Sequence, residues 1–393
     1  MLVANQRRTP GSQASLREAN RARIVAAIKK HGSLTQVELA GVTGLSPASV
    51  SNIVREQVSA GVLRTSPSTR SGRRATLVSF ARAIGLVAGI HVSMRHLRVI
   101  VADVNCTVLS EHHMPLARDH RADNELDRAS LLLSDMLADL DSAIDELVGV
   151  GLAISAPIER STGRVAGRGI LRGWTGVDIP TVVHRRVRRP VYVDNASNLS
   201  ALAEARLGAG RGKQNMIYLD VGEGIGSGLV LGGQVLHGHH GTAGELGHTI
   251  IMEDGPLCRC GNRGCLEAIA GGPAILDTLE PEGGTMKLSD IVVRAMANDG
   301  TCIRALGEAG RHIGLATGNL CNLLDPERIV VGGDLARAGE LLLGPIRQAM
   351  ENAVVFESSR APDVVQGQLG MDAAALGAIV HAIDETNVRA AAM

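Results

Sequence analysis

Three of the six cysteines fall within eight residues, and this cluster constrains the fold of the 393-residue chain more than any other feature. Cys258, Cys260 and Cys265 follow His248 closely in the sequence. Thiolates and imidazole are preferred ligands of zinc, and three cysteines with one histidine complete a closed tetrahedral site. Two glycines between the second and third cysteines would let the chain turn back towards the same ion. The pattern predicts a structural zinc loop; the alternative is that these are redox-active or buried thiols.

The composition limits the class of protein. Hydrophobic residues make up 45% and charged residues 20% of the chain, which supplies a buried core and excludes a mainly disordered protein. The longest apolar runs, such as residues 84–90, are far shorter than the ~18 residues needed to cross a bilayer, so no membrane partner is expected. No apolar stretch follows the basic N-terminus, which argues against a secretory signal and favours a cytoplasmic protein. The polar residues 1–16 are expected to form a disordered tail.

The zero net charge of the whole chain hides an asymmetry. Residues 1–80 contain 10 Arg and 2 Lys against 3 Glu and no Asp, a net charge of +9, so the remainder carries −9. A basic head on an acidic body is typical of a protein whose head meets a polyanion. The alternative interpretation of charge alone is a solvated basic tail.

Residues 17–80 carry the signals of a winged helix-turn-helix. Residues 16–30 have apolar positions at helical spacing. Thr35 and Glu38 form a capping-box pattern for a second helix, and Ser46 followed by Pro47 starts a third. Helix, glycine-containing turn and helix is the spacing of a DNA-binding motif. The alternative is a small helical domain that serves as a protein interface.

The third helix and the hairpin after it supply the candidate DNA contacts. Short polar side chains with one arginine suit base edges and phosphates of double-stranded DNA. Two strands on either side of a turn at residues 66–71 would form a wing, whose arginines could enter a minor groove. The predicted DNA-binding residues are Ser46, Ser49, Ser51, Asn52, Arg55, Arg70, Arg73 and Arg74.

Residues 81–393 alternate strands with helices, and a hairpin pattern recurs at the start of each half. A helix is predicted at about residues 126–147 and a strand at 148–154. This order predicts a two-lobed α/β fold with a ligand cleft between the lobes. A glycine-rich segment at residues 222–228 follows a strand and could cradle phosphate, although Glu223 within it would repel that group. The alternative for this segment is a tight hairpin turn.

Over nearly its whole length the chain resembles the ROK family of bacterial sugar kinases and sugar-responsive repressors. The resemblance rests on the winged head and four motifs: Gly-Glu-Leu-Gly-His at 244–248, Cys-Arg-Cys-Gly-Asn-Arg-Gly-Cys-Leu-Glu at 258–267, Val-Asp-Asn-Ala-Ser-Asn at 193–198 before Ala-Leu-Ala-Glu at 201–204, and Val-Gly-Gly-Asp at 331–334. It implies an actin-like, ribonuclease H-like fold, zinc on His248, Cys258, Cys260 and Cys265, and a homodimer or homotetramer.

The resemblance also separates kinase from regulator. Family kinases read Gly-Ile-Asp-Ile-Gly-Gly-Thr where residues 89–95 read Gly-Ile-His-Val-Ser-Met-Arg. They carry Asn-Asp where this chain has Asn195-Ala196, and alanine cannot take the proton from a sugar hydroxyl. Glu223 replaces a small hydroxyl residue of the second phosphate loop. These three departures predict a protein that is not an enzyme.

The family's sugar contacts match Asn195, Glu245, His248 and Glu267. Carboxylates and amides offer the acceptors and donors that a polyol needs. His248 would bind zinc through one ring nitrogen and reach the sugar with the other. The alternative is that the two glutamates only support the zinc loop. Ala196 removes one family sugar contact, so a larger ligand, weaker binding or a vestigial site are all compatible with the sequence.

The sequence therefore predicts a DNA-binding regulator of carbohydrate uptake or catabolism that responds to a sugar or sugar derivative. The head would bind a palindromic operator as a dimer, with half-sites about 10 bp or a multiple of that apart. Repression relieved by sugar is expected, with activation as the other sign. Two alternatives remain: a ROK sugar kinase with an appended DNA-binding module, and a regulator controlled by a protein partner that docks on the zinc loop.

Overall fold

The computed structural model describes residues 13–70, 73–80, 85–117, 119–166, 170–171, 173–280, 283–355 and 361–386. The predicted tail falls largely outside these residues, and the first helix begins at Gln13, ahead of the predicted position 16. The head consists of α1 (Gln13–His31), β1 (Leu34–Thr35), α2 (Gln36–Thr43), α3 (Pro47–Ser59), β2 (Leu63–Arg70) and β3 (Arg73–Phe80).

Local capping chemistry starts the second and third helices of the head where the sequence predicts. The Thr35 hydroxyl accepts from the Glu38 N–H at 3.2 Å, while the Thr35 N–H donates to the Glu38 carboxylate at 2.7 Å. Gly44 ends α2 in the left-handed region at φ 67°, and Ser46 caps α3 by accepting from the Ser49 N–H. The predicted helix-turn-helix is confirmed.

The wing is longer than predicted. Strands β2 and β3 pair from Leu63 opposite Phe80 to Arg70 opposite Arg73, so the predicted turn over residues 66–71 was wrong. Pro67 is tolerated within β2 because that strand lies at the edge of the sheet, whose order is β1-β3-β2.

The described strands of the body form two five-stranded sheets, one in each lobe, and one two-stranded sheet. The elements of the N-terminal lobe are β4 (Leu86–Val92), β5 (His96–Asp103), β6 (Val108–Pro115), α4 (Ala122–Asp139), a 3₁₀ turn (Ile144–Glu146), β7 (Leu147–Ile154), β8 (Ile158–Glu159), β9 (Arg164–Val165), α5 (Ile179–Val187) and β10 (Val191–Asn195). Its five-stranded sheet has the order β10-β7-β4-β5-β6, with β7 and β10 parallel to β4, and β8 pairs with β9 alone. Helix α4 ends at Asp139, well before the predicted residue 147, because Asp141 takes a left-handed conformation at φ 52°.

The C-terminal sheet has the order β13-β12-β11-β14-β15. The elements after β10 are α6 (Ala196–Leu207), β11 (Met216–Val221), β12 (Ile225–Leu231), β13 (Gln234–Val235), a 3₁₀ turn (Leu246–His248), α7 (Leu266–Ala270), α8 (Gly272–Leu279), α9 (Leu288–Met296), α10 (Gly300–Leu324), β14 (Arg328–Gly332), a 3₁₀ turn (Asp334–Ala338), α11 (Glu340–Ala353), β15 (Asp363–Gln366), a 3₁₀ turn (Gly370–Asp372) and α12 (Ala373–Glu385). The glycine-rich segment is a tight hairpin turn between β11 and β12, as its alternative interpretation held.

Helices α6 and α12 pack against each other at the junction of the lobes. Helix α12 lies on the N-terminal sheet so closely that a Cβ on Gly151 of β7 would fall 1.9 Å from the Ala378 carbonyl oxygen. Helix α6 packs on β11 and β12 of the other sheet. The predicted two-lobed, actin-like fold is confirmed, and within the described part of the chain no helix is long and apolar enough to cross a membrane.

Candidate functional site: a metal loop beside an interlobe cleft

The four predicted metal ligands converge. One ligand atom from each of His248, Cys258, Cys260 and Cys265 lies within 4.8 Å of all the others. The Cys260 and Cys265 sulfurs are 3.7 Å apart, and the Cys258 sulfur is 3.5 Å from Nδ1 of His248. Four ligands around one zinc at about 2.0–2.3 Å are spaced in this way. The cluster is able to hold a metal ion, and its donor set fits zinc.

Backbone hydrogen bonds and a glycine turn bring these ligands together. The Cys258 N–H donates to the Asn262 carbonyl at 2.7 Å, which closes a tight loop around the first two cysteines. Gly264 turns the chain at φ 67°, where a Cβ would fall 1.5 Å from the Met252 carbonyl oxygen. Cys265 then pairs with Ile250, beside His248. Only glycine fits at position 264, so the loop is built to return the third thiol to the first two.

The residues before His248 lie directly on the glycine hairpin of the C-terminal lobe. The Ser227 hydroxyl of β12 donates to the Gly244 carbonyl at 2.7 Å. Burial raises the pKa of Glu245 to about 7, and the negative charge of Glu267 adds to the shift. Burial also lowers the pKa of His248. Near pH 7 Glu245 is therefore both a donor and an acceptor of hydrogen bonds, which suits a hydroxyl-rich ligand.

The carboxylate of Glu267 accepts three hydrogen bonds from two groups. It accepts from Nε and Nη2 of Arg259 at 2.7 and 2.6 Å, and from the Ile225 N–H at 3.0 Å. Another guanidinium nitrogen of Arg259 contacts Met94 and lies 3.5 Å from the Ile170 carbonyl oxygen, both in the N-terminal lobe. An arginine of the metal loop therefore reaches across the cleft.

Asn195 stands where β10 ends and α6 begins. Its side-chain oxygen caps α6 by accepting from the N–H groups of Ser197 and Asn198, and its nitrogen donates to the Ala156 carbonyl at 3.0 Å. The next residue, Ala196, is buried with only 2% of its surface exposed. Asn195 is thus a fixed part of the cleft wall.

All four predicted sugar-binding residues line one cleft of about 1160 Å³, which includes space open to solvent. Asn195 approaches from the N-terminal lobe, and Glu245, His248 and Glu267 from the C-terminal lobe. The residues of the wall that sequence reasoning missed include Arg259, His91 and Ser155. The last two share a hydrogen bond of 3.2 Å at the carboxyl ends of β4 and β7. Ligands of parallel sheets bind at that edge, so strand order was the signal available for them.

Further carboxylates lie beside the glycine hairpin, which also lines the cleft. Burial raises the pKa of Asp220 to about 6, and the charge of Asp334 adds to the shift. The Asp334 carboxylate would lie 3.4 Å from a Cβ on Gly222, at the hairpin itself. Glu223, within the hairpin, also lines the cleft. Three acidic side chains thus stand where the resemblance places phosphate binding.

Four of the predicted DNA contacts, Ser49, Ser51, Asn52 and Arg55, lie on α3 away from its buried residues Val50, Ile53 and Val54, and the fifth, Ser46, is the residue that caps the helix. Ser46, Asn52 and Arg55 are exposed, and Ser49 and Ser51 are half-buried. The Ser46 and Ser49 hydroxyls lie 2.9 Å apart because both take part in the helix cap. The side chains of Arg70, Arg73 and Arg74 fall outside the described residues, although the backbone places all three at the far end of the wing.

Comparison with known proteins agrees with this architecture. The chain matches the ROK family over residues 87–385 and a winged helix-turn-helix DNA-binding family over residues 17–64. It is 26% identical to the xylose repressor of Bacillus spizizenii over 372 residues, which cover 93% of this chain and 95% of that protein. It is 33% identical to the glucokinase of Halalkalibacterium halodurans over 284 residues, which cover 65% of this chain and 84% of that protein.

One solved structure shows the same fold over both parts of the chain. It is a ROK family transcriptional regulator, described as a homologue of the E. coli MLC protein, with a TM-score of 0.76 and 22% identity. The match covers 96% of this chain and 99% of that one, and so includes the head as well as both lobes. Together with the family match over residues 87–385, this shows that the chain belongs to the ROK family.

Proposed function

We propose that this protein is a sugar-responsive transcriptional repressor of carbohydrate genes that has no kinase activity. Residues 17–80 would bind an operator, and residues 81–393 would sense the sugar and form a homodimer or homotetramer. The similarity to a xylose repressor over nearly the full length of both chains supports this assignment. The kinase relative matches at higher identity but over less of this chain.

The observation that carries the proposal is the set of side chains that line the cleft. Asn195, Glu245, His248 and Glu267 present hydrogen-bonding groups suited to a polyol. Asp220, Glu223 and Asp334 add carboxylates beside the glycine hairpin, where the phosphates of a nucleotide would lie. Like charges repel in a partly buried site. The cleft therefore favours a neutral sugar and disfavours ATP.

Zinc on His248, Cys258, Cys260 and Cys265 would have a structural role. With four protein ligands the ion has no open position for catalysis. It would hold the loop that carries Arg259 and, through it, the carboxylate of Glu267. Sugar affinity would then depend on the metal, although the ion would not touch the reactive groups of the ligand.

The test is to recover genomic DNA fragments with the purified full-length protein, with and without a panel of sugars and sugar phosphates. We expect enrichment of one palindrome beside transport or glycoside-degrading genes, and loss of that enrichment with one sugar. No enriched site under any condition would contradict sequence-specific DNA binding. A coupled assay for ATP consumption with D-glucose and D-xylose tests the kinase alternative, and turnover with either sugar would overturn the assignment.

A further inference from the structure

The head is packed into the body. One continuous cluster of buried side chains contains Ile28 of α1, Phe80 of β3, Ala102 of β5 and Ile383 of α12. Phe80 is only 1% exposed and Ile28 only 2%. Burial of this kind fixes the position of the DNA-binding head on the body.

One residue of the N-terminal lobe binds Phe80, the last residue of β3, at the base of the wing. The side-chain oxygen of Asn105 accepts from the Phe80 N–H at 2.6 Å, and its nitrogen donates to the Phe80 carbonyl at 2.7 Å. Asp103, which is 3% exposed, holds Asn105 in turn by accepting from its backbone N–H and its side-chain nitrogen at 2.9 and 3.3 Å. The turn after β5 therefore bonds both backbone groups of Phe80, as a neighbouring strand would.

The end of α1 contacts other elements of the body. Ile28, Gly32 and Ser33 line a small cavity with Arg206 and Leu207 at the end of α6, and Phe80 and Asn105 line the same cavity. A Cβ on Gly233, in the turn between β12 and β13, would lie 3.8 Å from Nζ of Lys30 at the end of α1. The head therefore contacts the N-terminal lobe at Phe80, and α6 and the β12–β13 turn at the end of α1.

The elements beneath the head also reach the cleft. Helix α12 begins with Ala373 and Ala374 in the cleft wall and continues to Ile383 beneath the head, a span of about 15 Å at 1.5 Å per residue. Arg98 of β5, which also lines the cleft, forms an ion pair with Asp372 just before α12. Helix α6 likewise runs from Asn195 in the cleft to the end that supports α1.

We propose that the head senses the angle between the lobes, and that Asn105 is the positioning residue that ties the wing to the N-terminal lobe. The inference rests on the proposed function and specifies how that function would be regulated. Closure of the lobes around a sugar would move the Asn105 turn relative to the end of α6. Because the head is held at both points, its position on the body would change, and with it the affinity for DNA. A ligand can drive this change only through its different affinity for the open and closed arrangements.

The test compares Asn105→Ala with a matched control, Asn322→Ala, in the full-length protein. Asn322 makes the same pair of bonds inside the C-terminal lobe, to the Ala353 carbonyl and from the Val355 N–H, both at 3.0 Å. Sugar binding is measured by calorimetry with D-xylose and D-glucose. DNA binding is measured by fluorescence anisotropy on the fragments recovered with the wild-type protein.

We expect Asn105→Ala to bind sugar within twofold of the wild-type affinity while the sugar-induced change in DNA affinity falls at least threefold. Asn322→Ala should keep both properties. A sugar response that survives in Asn105→Ala, or an equal loss in both variants, would overturn the inference and leave the proposed function intact. If Asn105→Ala fails to fold, Asn105→Asp keeps the acceptor for the Phe80 N–H, loses the donor, and should show a smaller loss in the same direction.

A measurement without sugar separates this inference from the proposed function. In the sugar-free protein, amide hydrogen exchange at Phe80 and along the end of α1 should rise at least tenfold in Asn105→Ala and stay unchanged in Asn322→Ala. If neither sugar binds the wild-type protein, the sensing function fails for these ligands, and exchange then decides the positioning role of Asn105. Unchanged exchange in Asn105→Ala would then refute it.

Discussion

Arg259 connects the metal loop with the cleft through a single side chain. It stands between Cys258 and Cys260, and it binds both carboxylate oxygens of Glu267. A bidentate contact of this kind fixes the orientation of both groups. A displaced thiol in the loop is therefore expected to move a carboxylate in the cleft.

Replacement of Cys260 by serine tests the four-ligand assignment. Because serine is a poor zinc ligand, Cys260→Ser should lose the metal and the sugar response together, as measured by elemental analysis and DNA-binding anisotropy. Cys302→Ser is the control, because Cys302 is buried in α10 and does not belong to the metal-ligand cluster. Full zinc content in Cys260→Ser would refute the assignment.

The pKa of Asp220 gives a stability prediction with a definite sign. Its folded pKa of about 6 lies above the ordinary value of 3.8, because burial and then Asp334 disfavour its charge. The folded state therefore binds the proton more tightly, and stability falls as pH rises between about 4 and 6. Asp220→Asn should remove this loss, stabilising the protein by about 1–3 kcal/mol at pH 8 and little at pH 4.

Chemical denaturation of wild type and Asp220→Asn at both pH values measures the difference. The variant keeps nearly the same shape, so packing alone would shift stability equally at the two pH values. A difference in unfolding free energy that does not depend on pH would mean that the fold does not disfavour the charge of Asp220.

The metal ligands could be predicted from the sequence because their residue types and spacing carry the chemistry. Arg259 could not be predicted, since spacing does not tell where a long side chain points. Asn195 shows the same limit. Its place in the cleft followed from the resemblance, whereas its use as a helix cap depends on the backbone geometry of β10 and α6.

At the scale of elements, the packing of α12 on the N-terminal sheet depends on a glycine in β7. The Ala378 carbonyl approaches β7 at Gly151, where no other residue leaves room. Apolar runs predicted the strand β7 and part of helix α4, because burial patterns are local. They did not predict the length of the wing, since pairing of its polar strands comes from backbone bonds that a polar sequence does not reveal.

Gly151→Ala should destabilise the body strongly. The added Cβ would clash with backbone, so α12 must shift at a cost of about 3 kcal/mol or more. Gly344→Ala is the control: it lies within α11, and its nearest contact would be the Glu340 side chain at 3.7 Å. That variant should be unchanged or up to about 1 kcal/mol more stable. Urea unfolding of both checks the prediction, and equal stability of the two variants would contradict it.

The wing arginines should contribute to DNA affinity through phosphates. Arg73→Ala combined with Arg74→Ala is expected to weaken binding and to flatten its salt dependence by up to about two phosphate contacts. Arg304→Ala combined with Arg311→Ala removes the same charge from exposed positions of α10. Anisotropy titrations over a range of salt concentrations compare the two. An unchanged slope in the wing variant would remove the wing from the interface.

At the scale of the whole molecule, the order of the head and the two lobes along the chain was predictable, and the contacts between head and body were not. Charge, capping and turn residues located the head, and alternating elements located the lobes. The contact of Asn105 with Phe80 joins residues 25 positions apart, and nothing in either segment identifies the other as its partner. Long-range contacts of this kind follow from the assembled fold.

Removal of the metal should separate the two functions of the molecule. Dialysis against a chelator should lower sugar affinity at least tenfold, because metal binding is coupled to folding of the loop whose Arg259 holds the Glu267 carboxylate. The metal loop contributes no residue to the buried cluster that fixes the head on the body. DNA affinity without sugar should therefore stay within twofold. Calorimetry and anisotropy on the same sample check this, and parallel loss of both activities would contradict it.

The position of the thiol cluster beside the cleft has a physiological consequence. A cell starved of zinc, or exposed to an oxidant that attacks thiols, would keep a repressor that still occupies its operator but no longer detects nutrient. Its genes would stay silent in the presence of the inducing carbohydrate until the metal returned.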